Sequence, residues 1–279
     1  MPRAGGTDAG GNAMNGRYRD LSISQHGGVL VVELDRPEKR NAMRLGLREE
    51  LIQLFTEIDA DSQVRAAVVT GAGRAFSAGA DLDELRTRTV ESELSPAGEL
   101  RRRLSHVIET SAKPVVAAVN GPCIGAGLEL ALACHIRVAS TKATFGLPEV
   151  SIGVVPGSGG TQRLTRVVGV GWSMHMTLTG VPISAEQAYQ IGLVTGLHQP
   201  DLLREEAIAL AELLGKQPPM AYRCARDAVT RAYDVDLATG IELERKLFAL
   251  CLSTGVPTRK AQELLDRIST STAPGAAES

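Results

Sequence analysis

Two carboxylates in this sequence keep company that acids usually avoid. Glu129 lies in Gly121-Pro-Cys-Ile-Gly-Ala-Gly-Leu-Glu129-Leu-Ala-Leu-Ala-Cys134, where small residues run into an apolar helical pattern. Glu149 follows Phe145-Gly-Leu-Pro148 and opens a stretch that ends in Pro156-Gly-Ser-Gly-Gly-Thr161. Gly125, Ala126 and Gly127 leave no bulky side chain between the peptide N–H groups of a new helix and an approaching ligand. The first turn of a helix has unsatisfied donors with partial positive charge, which is a place to hold an oxyanion. Taken singly, each acid also has a structural reading. Glu129 complements a helix dipole, and Glu149, behind a proline that fixes the backbone, reads equally as an ion-paired acid or a functional one.

A second small-residue loop, Gly71-Ala-Gly-Arg-Ala-Phe-Ser-Ala-Gly-Ala-Asp81, closes an apolar strand at Val64 to Thr70 and opens a short helix at Leu82 to Leu85. Such a loop sets backbone N–H groups against a ligand. The same plan recurs where a strand at Val115 to Val119 enters the Gly121 stretch. Both strands are almost wholly apolar and are expected to be buried on both faces. Ahead of them, an alternating strand from Tyr18, the Gly27-Gly28 turn and Val29 to Leu34 predict a hairpin, and Leu45 to Ile58 has helical spacing. Residues Thr87 to Gly98 are polar and aperiodic and read as a mobile segment. A third strand pair is expected at Ile136 to Ala139 and Ala143 to Phe145. From Thr161 the pattern is helical, with one strand near Leu193 to Leu197. Residues 1–17 and 271–279 are expected to be disordered tails.

The 279 residues, 43% hydrophobic and 22% charged, suffice for one sizeable core with a small appendage. A net charge of -2 supplies no field to attract polyanions, and the one basic run, Arg101-Arg102-Arg103, lacks aromatic interleaving, so nucleic acid is not an expected partner. No stretch is apolar enough to span a bilayer or to act as a secretory leader. The four cysteines are scattered, and the five histidines form no HxxxH or HxH pair, so a reducing, cytoplasmic setting and no metal are expected. The glycine runs fail the dinucleotide and P-loop templates, and Ser158 does not complete GxSxG.

From Tyr18 to Arg267 the chain resembles the enoyl-CoA hydratases of the crotonase superfamily. The resemblance rests on Leu34-Asp-Arg-Pro-Glu-Lys-Arg-Asn-Ala-Met43, Ala75-Phe-Ser-Ala-Gly-Ala-Asp-Leu82, Asn120-Gly-Pro-Cys-Ile-Gly-Ala-Gly-Leu-Glu129 and Phe145-Gly-Leu-Pro-Glu149 through Pro156-Gly-Ser-Gly-Gly-Thr-Gln-Arg163. It implies an α/β fold, a spiral of repeated ββα units over 18–200, with a helical oligomerisation region over 201–270 that builds homotrimers or dimers of trimers. It implies hydration of a 2-enoyl-CoA thioester in fatty-acid or related degradation, with CoA as part of the substrate and no separate cofactor. Glu129 and Glu149 would be catalytic, the N–H groups of Ala80 and Ala126 would form an oxyanion hole, and Ala78, Asp81, Leu82 and Gly157 would line the CoA or substrate. An enoyl-CoA isomerase and a non-catalytic CoA-thioester binder are the rival readings. His135, where relatives often carry Asp, and Leu264, where they often carry an aromatic residue, are departures from the pattern. The first is expected to alter a local charge pair and to leave the catalytic pair alone.

Overall fold

The computed structural model describes residues 16–271, with side chains through residue 268. The expected tails lie outside this range except for residues 16, 17 and 271. Arg17, assigned to the lead-in, is held by Glu57 at 2.7 Å.

The hairpin of β1 (Leu21–His26) and β2 (Val29–Leu34) is antiparallel, with Leu21 opposite Leu34. Behind it, α1 (Leu45–Ala60) buries Leu47, Leu51, Leu54, Phe55 and Ile58 on one face, and β3 (Ala66–Gly71) then pairs parallel with β2. Three helices follow: α2 (Leu82–Leu85), α3 (Val90–Glu93) and α4 (Pro96–Glu109). The segment 87–98, read as irregular, thus contains α3, opened by a Thr89/Ser92 capping box, and the first turn of α4. Short polar caps, rather than apolar periodicity, specify these turns.

Next come β4 (Val115–Val119), β5 (Pro122–Ile124), α5 (Ala126–Ala133), β6 (Ile136–Ser140) and β7 (Thr144–Gly146). Then follow α6 (Gly160–Thr179), kinked at Gly169, β8 (Ile183–Ser184), α7 (Ala185–Gln190), β9 (Gly196–His198) and α8 (Leu203–Gly215). One sheet runs β1-β2-β3-β4-β6-β9, parallel beyond the hairpin, and a second runs β5-β7-β8. The expected pairing of β6 with β7 is therefore corrected: β6 lies between β4 and β9, and β7 lies between β5 and β8. Isolated bridges Met43 to Ala80 and Ser77 to Cys123 carry the chain after β2 and after β3 past the second sheet, as β5 and β7 do after β4 and β6. Each turn of the chain thus visits both sheets, which is the spiral.

The six residues of β3 and the five of β4 are all buried, because the sheet is covered on both faces. One face packs Leu30, Val32, Ala67, Val69, Val115 and Ala117 into the core with α1, α4 and α5. The other, Val29, Val31, Ala66, Val68 and Val116, is covered by Leu203, Ala207 and Ala211 of α8. The Arg65 guanidinium holds the Gly215 carbonyl at 2.9 Å and fixes the end of α8. The chain divides into compact units at Lys216/Gln217, so α8, which the sequence had grouped with the C-terminal helices after residue 200, belongs to the first unit. The second contains α9 (Pro219–Arg231), α10 (Leu237–Leu252) and α11 (Val256–Ser271). Leu237, Ile241, Phe248 and Leu264 are exposed on these helices.

Candidate active site

The first unit brings the two singled-out carboxylates to the same helix start. Gly125 precedes α5 with φ 52° and ψ -123°, a conformation open to glycine because it has no Cβ. Its N–H donates to the Gly146 carbonyl at 2.8 Å, tying the start of α5 to the strand that leads to Glu149. A Cβ on Gly125 would lie 2.9 Å from Glu149 Oε1 and 3.7 Å from Gly79 Cα. The glutamate, the second glycine loop and the helix N-terminus therefore meet at one point. A Cβ on Gly79 would in turn lie 3.8 Å from the Ala126 nitrogen.

The loop bearing Ala78 and Ala80 is held by its backbone. The Ala78 N–H donates to Arg40 O at 2.9 Å, Met43 N–H to Gly79 O at 2.7 Å, and Ile124 N–H to Ser77 O at 3.0 Å. Among the described residues, the N–H groups of Ala80 and Ala126 donate to no protein acceptor. Two peptide donors are thus left over on adjoining loops, in the neighbourhood of a carboxylate.

Glu129 is 3% exposed, one turn into α5. Its Oε1 accepts N–H groups from Ser158 at 2.6 Å and Gly160 at 2.9 Å, donors that suit an ionised carboxylate. Oε2 receives no protein donor among the described residues. Glu149 is half-buried, and its Oε2 is buried without a partner. Burial raises its pKa to about 7, with its own backbone N–H pulling down and the charge of Glu129 pushing up. The two acids therefore sense each other while standing in different settings, one fixed by donors and one held uncomfortably.

Asp81 differs in character from a ligand-lining residue. It accepts Asp83 N–H at 3.1 Å as the cap of α2 and pairs with Arg36 at 3.1 Å. Burial alone would raise its pKa, but the Arg36 hydrogen bond and the Asp83 N–H hold it below the usual carboxylate range. Leu82 and Ala78 are exposed beside it, and Gly157 is exposed on the 156–160 loop with open space where a Cβ would go. His135 accepts Val115 N–H on Nδ1 at 2.9 Å, and its Nε2 lies 3.1 Å from the Glu109 carbonyl. The Glu109 carboxylate is gripped by Arg163 at 2.9 and 3.0 Å. The departure at His135 thus serves the frame behind α5. Leu264 lies in the second unit and is exposed.

Sequence reading missed the two N–H groups that hold Glu129, since a backbone donor has no letter of its own. It also missed Arg36 as the brace of Asp81, although the motif containing Arg36 had been noted. Among the described residues no group of three His, Cys, Asp or Glu side chains is placed to hold a metal ion, and no helix is long and apolar enough to cross a membrane. Cys123, Cys134 and Cys224 are buried free thiols.

Residues 24–259 match the Enoyl-CoA hydratase/isomerase family. The chain is 40% identical over 238 residues to the 2,3-dehydroadipyl-CoA hydratase of Escherichia coli K12, covering 84% of this chain and 91% of that one. It is 38% identical to the short-chain-enoyl-CoA hydratase of Clostridium acetobutylicum, covering 84% and 90%. Among solved structures, an enoyl-CoA hydratase from Bacillus anthracis superimposes with a TM-score of 0.84 at 35% identity, covering 89% of this chain and 97% of that one. With the fold of the first unit and this breadth of match together, the chain belongs to the enoyl-CoA hydratase/isomerase family and has its crotonase-like fold.

Proposed function

We propose that this protein is an enoyl-CoA hydratase, adding water across the 2,3 double bond of a 2-enoyl-CoA thioester to give the 3-hydroxyacyl-CoA. One observation carries the reading: Glu149 and Glu129 converge on the start of α5, beside an Ala126 N–H that no protein acceptor takes among the described residues. Addition at C3 pushes negative charge onto the thioester oxygen, and the N–H groups of Ala80 and Ala126 receive it. Preorganised donors of this kind lower such a barrier by about 3 kcal/mol each. Glu129, with one oxygen fixed by Ser158 and Gly160, offers the other to the attacking water. Glu149, with a pKa raised to about 7, takes the proton from water and returns one to C2. Hydroxide goes to C3 and a proton to C2, so atoms balance with no electron acceptor, and CoA arrives as part of the substrate.

The curated relatives' names agree on a CoA thioester hydratase and differ in acyl group, so the acyl group has to be set by residues peculiar to each site. Ala78, Leu82 and Gly157 are exposed along the path we assign to CoA, and Asp81 acts on that path through the loop it braces. An isomerase moves the double bond without water and has no use for a second carboxylate. A passive thioester binder has no use for an acid poised near neutrality. We further assign a cytoplasmic role in fatty-acid or related acyl-CoA degradation, and a homotrimer or dimer of trimers built by the exposed Leu237, Ile241 and Phe248 of the second unit. Incubation with crotonyl-CoA, followed by loss of the conjugated thioester absorbance, tests the reaction. Conversion of a 3-enoyl-CoA with no hydration of crotonyl-CoA would replace it with isomerisation.

A further inference from the structure

The loop that holds Glu129 is itself held, at a single peptide. Gly157, Gly159 and Gly160 surround Ser158, and backbone of this composition has wide conformational freedom. Yet it presents two N–H groups to one oxygen: Ser158 and Gly160 donate to Glu129 Oε1 at 2.6 and 2.9 Å. The Ser158–Gly159 peptide lies between those donors, and its carbonyl accepts twice. The Ser105 hydroxyl donates to it at 3.2 Å and Arg163 Nη1 at 3.1 Å. Ser105 and Ser158 are both buried, so the carbonyl is fixed from the side of α4 and from the side of α6.

Arg163 is no loose surface cation. Its Nε and Nη2 grip the two oxygens of Glu109 at 3.0 and 2.9 Å, fork on fork, which leaves Nη1 for the loop. Ser105 and Glu109 are one turn apart on α4 and share a face, so that helix supplies both the anchor of the guanidinium and the second donor. From the first turn of α6, the Arg163 N–H donates to the Gly159 carbonyl at 2.9 Å. The guanidinium lies against Gly159, whose φ is 98°, and any Cβ there would collide with Nη1. A Cβ on Gly160 would lie 3.0 Å from Glu129 Oε1. The glycines thus admit an arginine on one side and a glutamate on the other. A tie between α4 and α6 needs only the Arg163–Glu109 pair, whereas the bond to the Ser158 carbonyl reaches past that pair towards the acid.

We propose that Arg163, anchored by Glu109 and joined by Ser105, is the positioning residue for Glu129: by fixing the Ser158–Gly159 peptide it fixes the two N–H groups that aim the carboxylate. This rests on the hydratase reading, because Glu129 has to be aimed only if its Oε2 serves a reacting water. Arg163 takes no part in the proton transfers. Without the clamp Glu129 keeps its charge but swings with the loop, and a displacement of about 1 Å at such a group costs about 10²-fold in rate.

The test is a double-mutant cycle on crotonyl-CoA hydration, with Arg163→Met and Ser105→Ala each made alone and together with Glu129→Gln. Arg163→Met is expected to lower kcat by about 10²-fold and Ser105→Ala by about 5-fold, with KM within about 3-fold of wild type. In the Glu129→Gln background, where water is no longer oriented from this position, either change should cost less than about 3-fold. A loss of equal size in both backgrounds, or one carried by KM, makes Arg163 a tie within the frame and overturns the proposal, as does an unaltered kcat. Ser105→Ala removes one hydroxyl and leaves the Arg163–Glu109 pair, so it reads the clamp even where Arg163→Met does not fold. Hydration of no thioester by the wild type refutes the hydratase reading instead, and amide hydrogen exchange then decides the clamp. The Ser158 and Gly160 N–H groups should exchange at least about 5-fold faster in either variant than in wild type, with the amides of β4 unchanged. Equal exchange at Ser158 and Gly160 overturns it.

Discussion

Glu149 Oε1 occupies the place that a side chain on Gly125 would need, 2.9 Å from where its Cβ would stand. Gly125 is thus the contact through which the helix N-terminus and the acid set each other's position. Gly125→Ala meets two obstacles: φ 52° is disfavoured for alanine, and the new methyl pushes on the carboxylate. The expected result is a loss of about 1–2 kcal/mol in stability, the cost of such a backbone conformation. A fall in kcat of about 10²-fold should accompany it, as a displaced acid and a tilted donor act together. Chemical denaturation and steady-state rates on crotonyl-CoA check the two parts. Unaltered kcat would mean that Glu149 does not need this position.

Glu149 also makes a pH prediction with a definite sign. Its folded pKa, about 7, lies above the ordinary 4.5, so the folded state holds a proton that the unfolded chain has released. Stability from this group is fully present below about 4.5 and is lost as pH rises through 7. Glu149→Gln removes that decline. The difference in Tm, variant minus wild type, should therefore grow from pH 5 to pH 8. The same substitution should lower kcat by about 10²–10⁴-fold with thioester binding near normal. In the wild type kcat/KM should rise with pH around 7, as the base form appears. A flat Tm difference across this range would show that burial does not hold the proton.

What could be read from the sequence divides along physical lines. β3 and β4 were legible because strands buried on both faces have little choice but to be apolar, and α1 was legible from its periodicity. The partners of β6 and β7 were not. Two short apolar runs separated by a turn look like a hairpin, whereas here the chain crosses between sheets at that turn, a choice made by contacts far away in sequence. Glu129 and Glu149 stood out by type and surroundings. What fixes Glu129 did not, because Ser158 and Gly160 act through N–H groups common to almost every residue.

His135 is expected to matter for the frame and little for chemistry. It joins the start of β4, through Val115 N–H, to the last turn of α4, through the Glu109 carbonyl. His135→Ala leaves both backbone groups short of a partner and should cost about 1–3 kcal/mol. Because Glu129 and Glu149 take their donors elsewhere, kcat at a temperature well below the variant's Tm should stay within about 3-fold of wild type, well short of the loss expected when a catalytic acid goes. A fall of kcat comparable to that of Glu149→Gln would place His135 in the machinery.

Glu129 separates structure from chemistry if two substitutions are compared. The Ser158 and Gly160 N–H groups end on its Oε1 in the interior, so they depend on an acceptor and do not require a charge. Glu129→Gln keeps an oxygen there and should preserve stability, while the amide NH2 that replaces Oε2 cannot accept a hydrogen bond from the attacking water and so cannot orient it. Activity should then fall by about 10²–10⁴-fold with little change in Tm. Glu129→Ala removes the acceptor as well, leaving two buried donors unpaired at about 1–3 kcal/mol each, so it should lose the same activity and unfold several degrees earlier. Equal stability of the two variants would mean that water replaces the lost oxygen. Equal activity of Gln and wild type would mean that the acid at this position is only an anchor for the 156–160 loop.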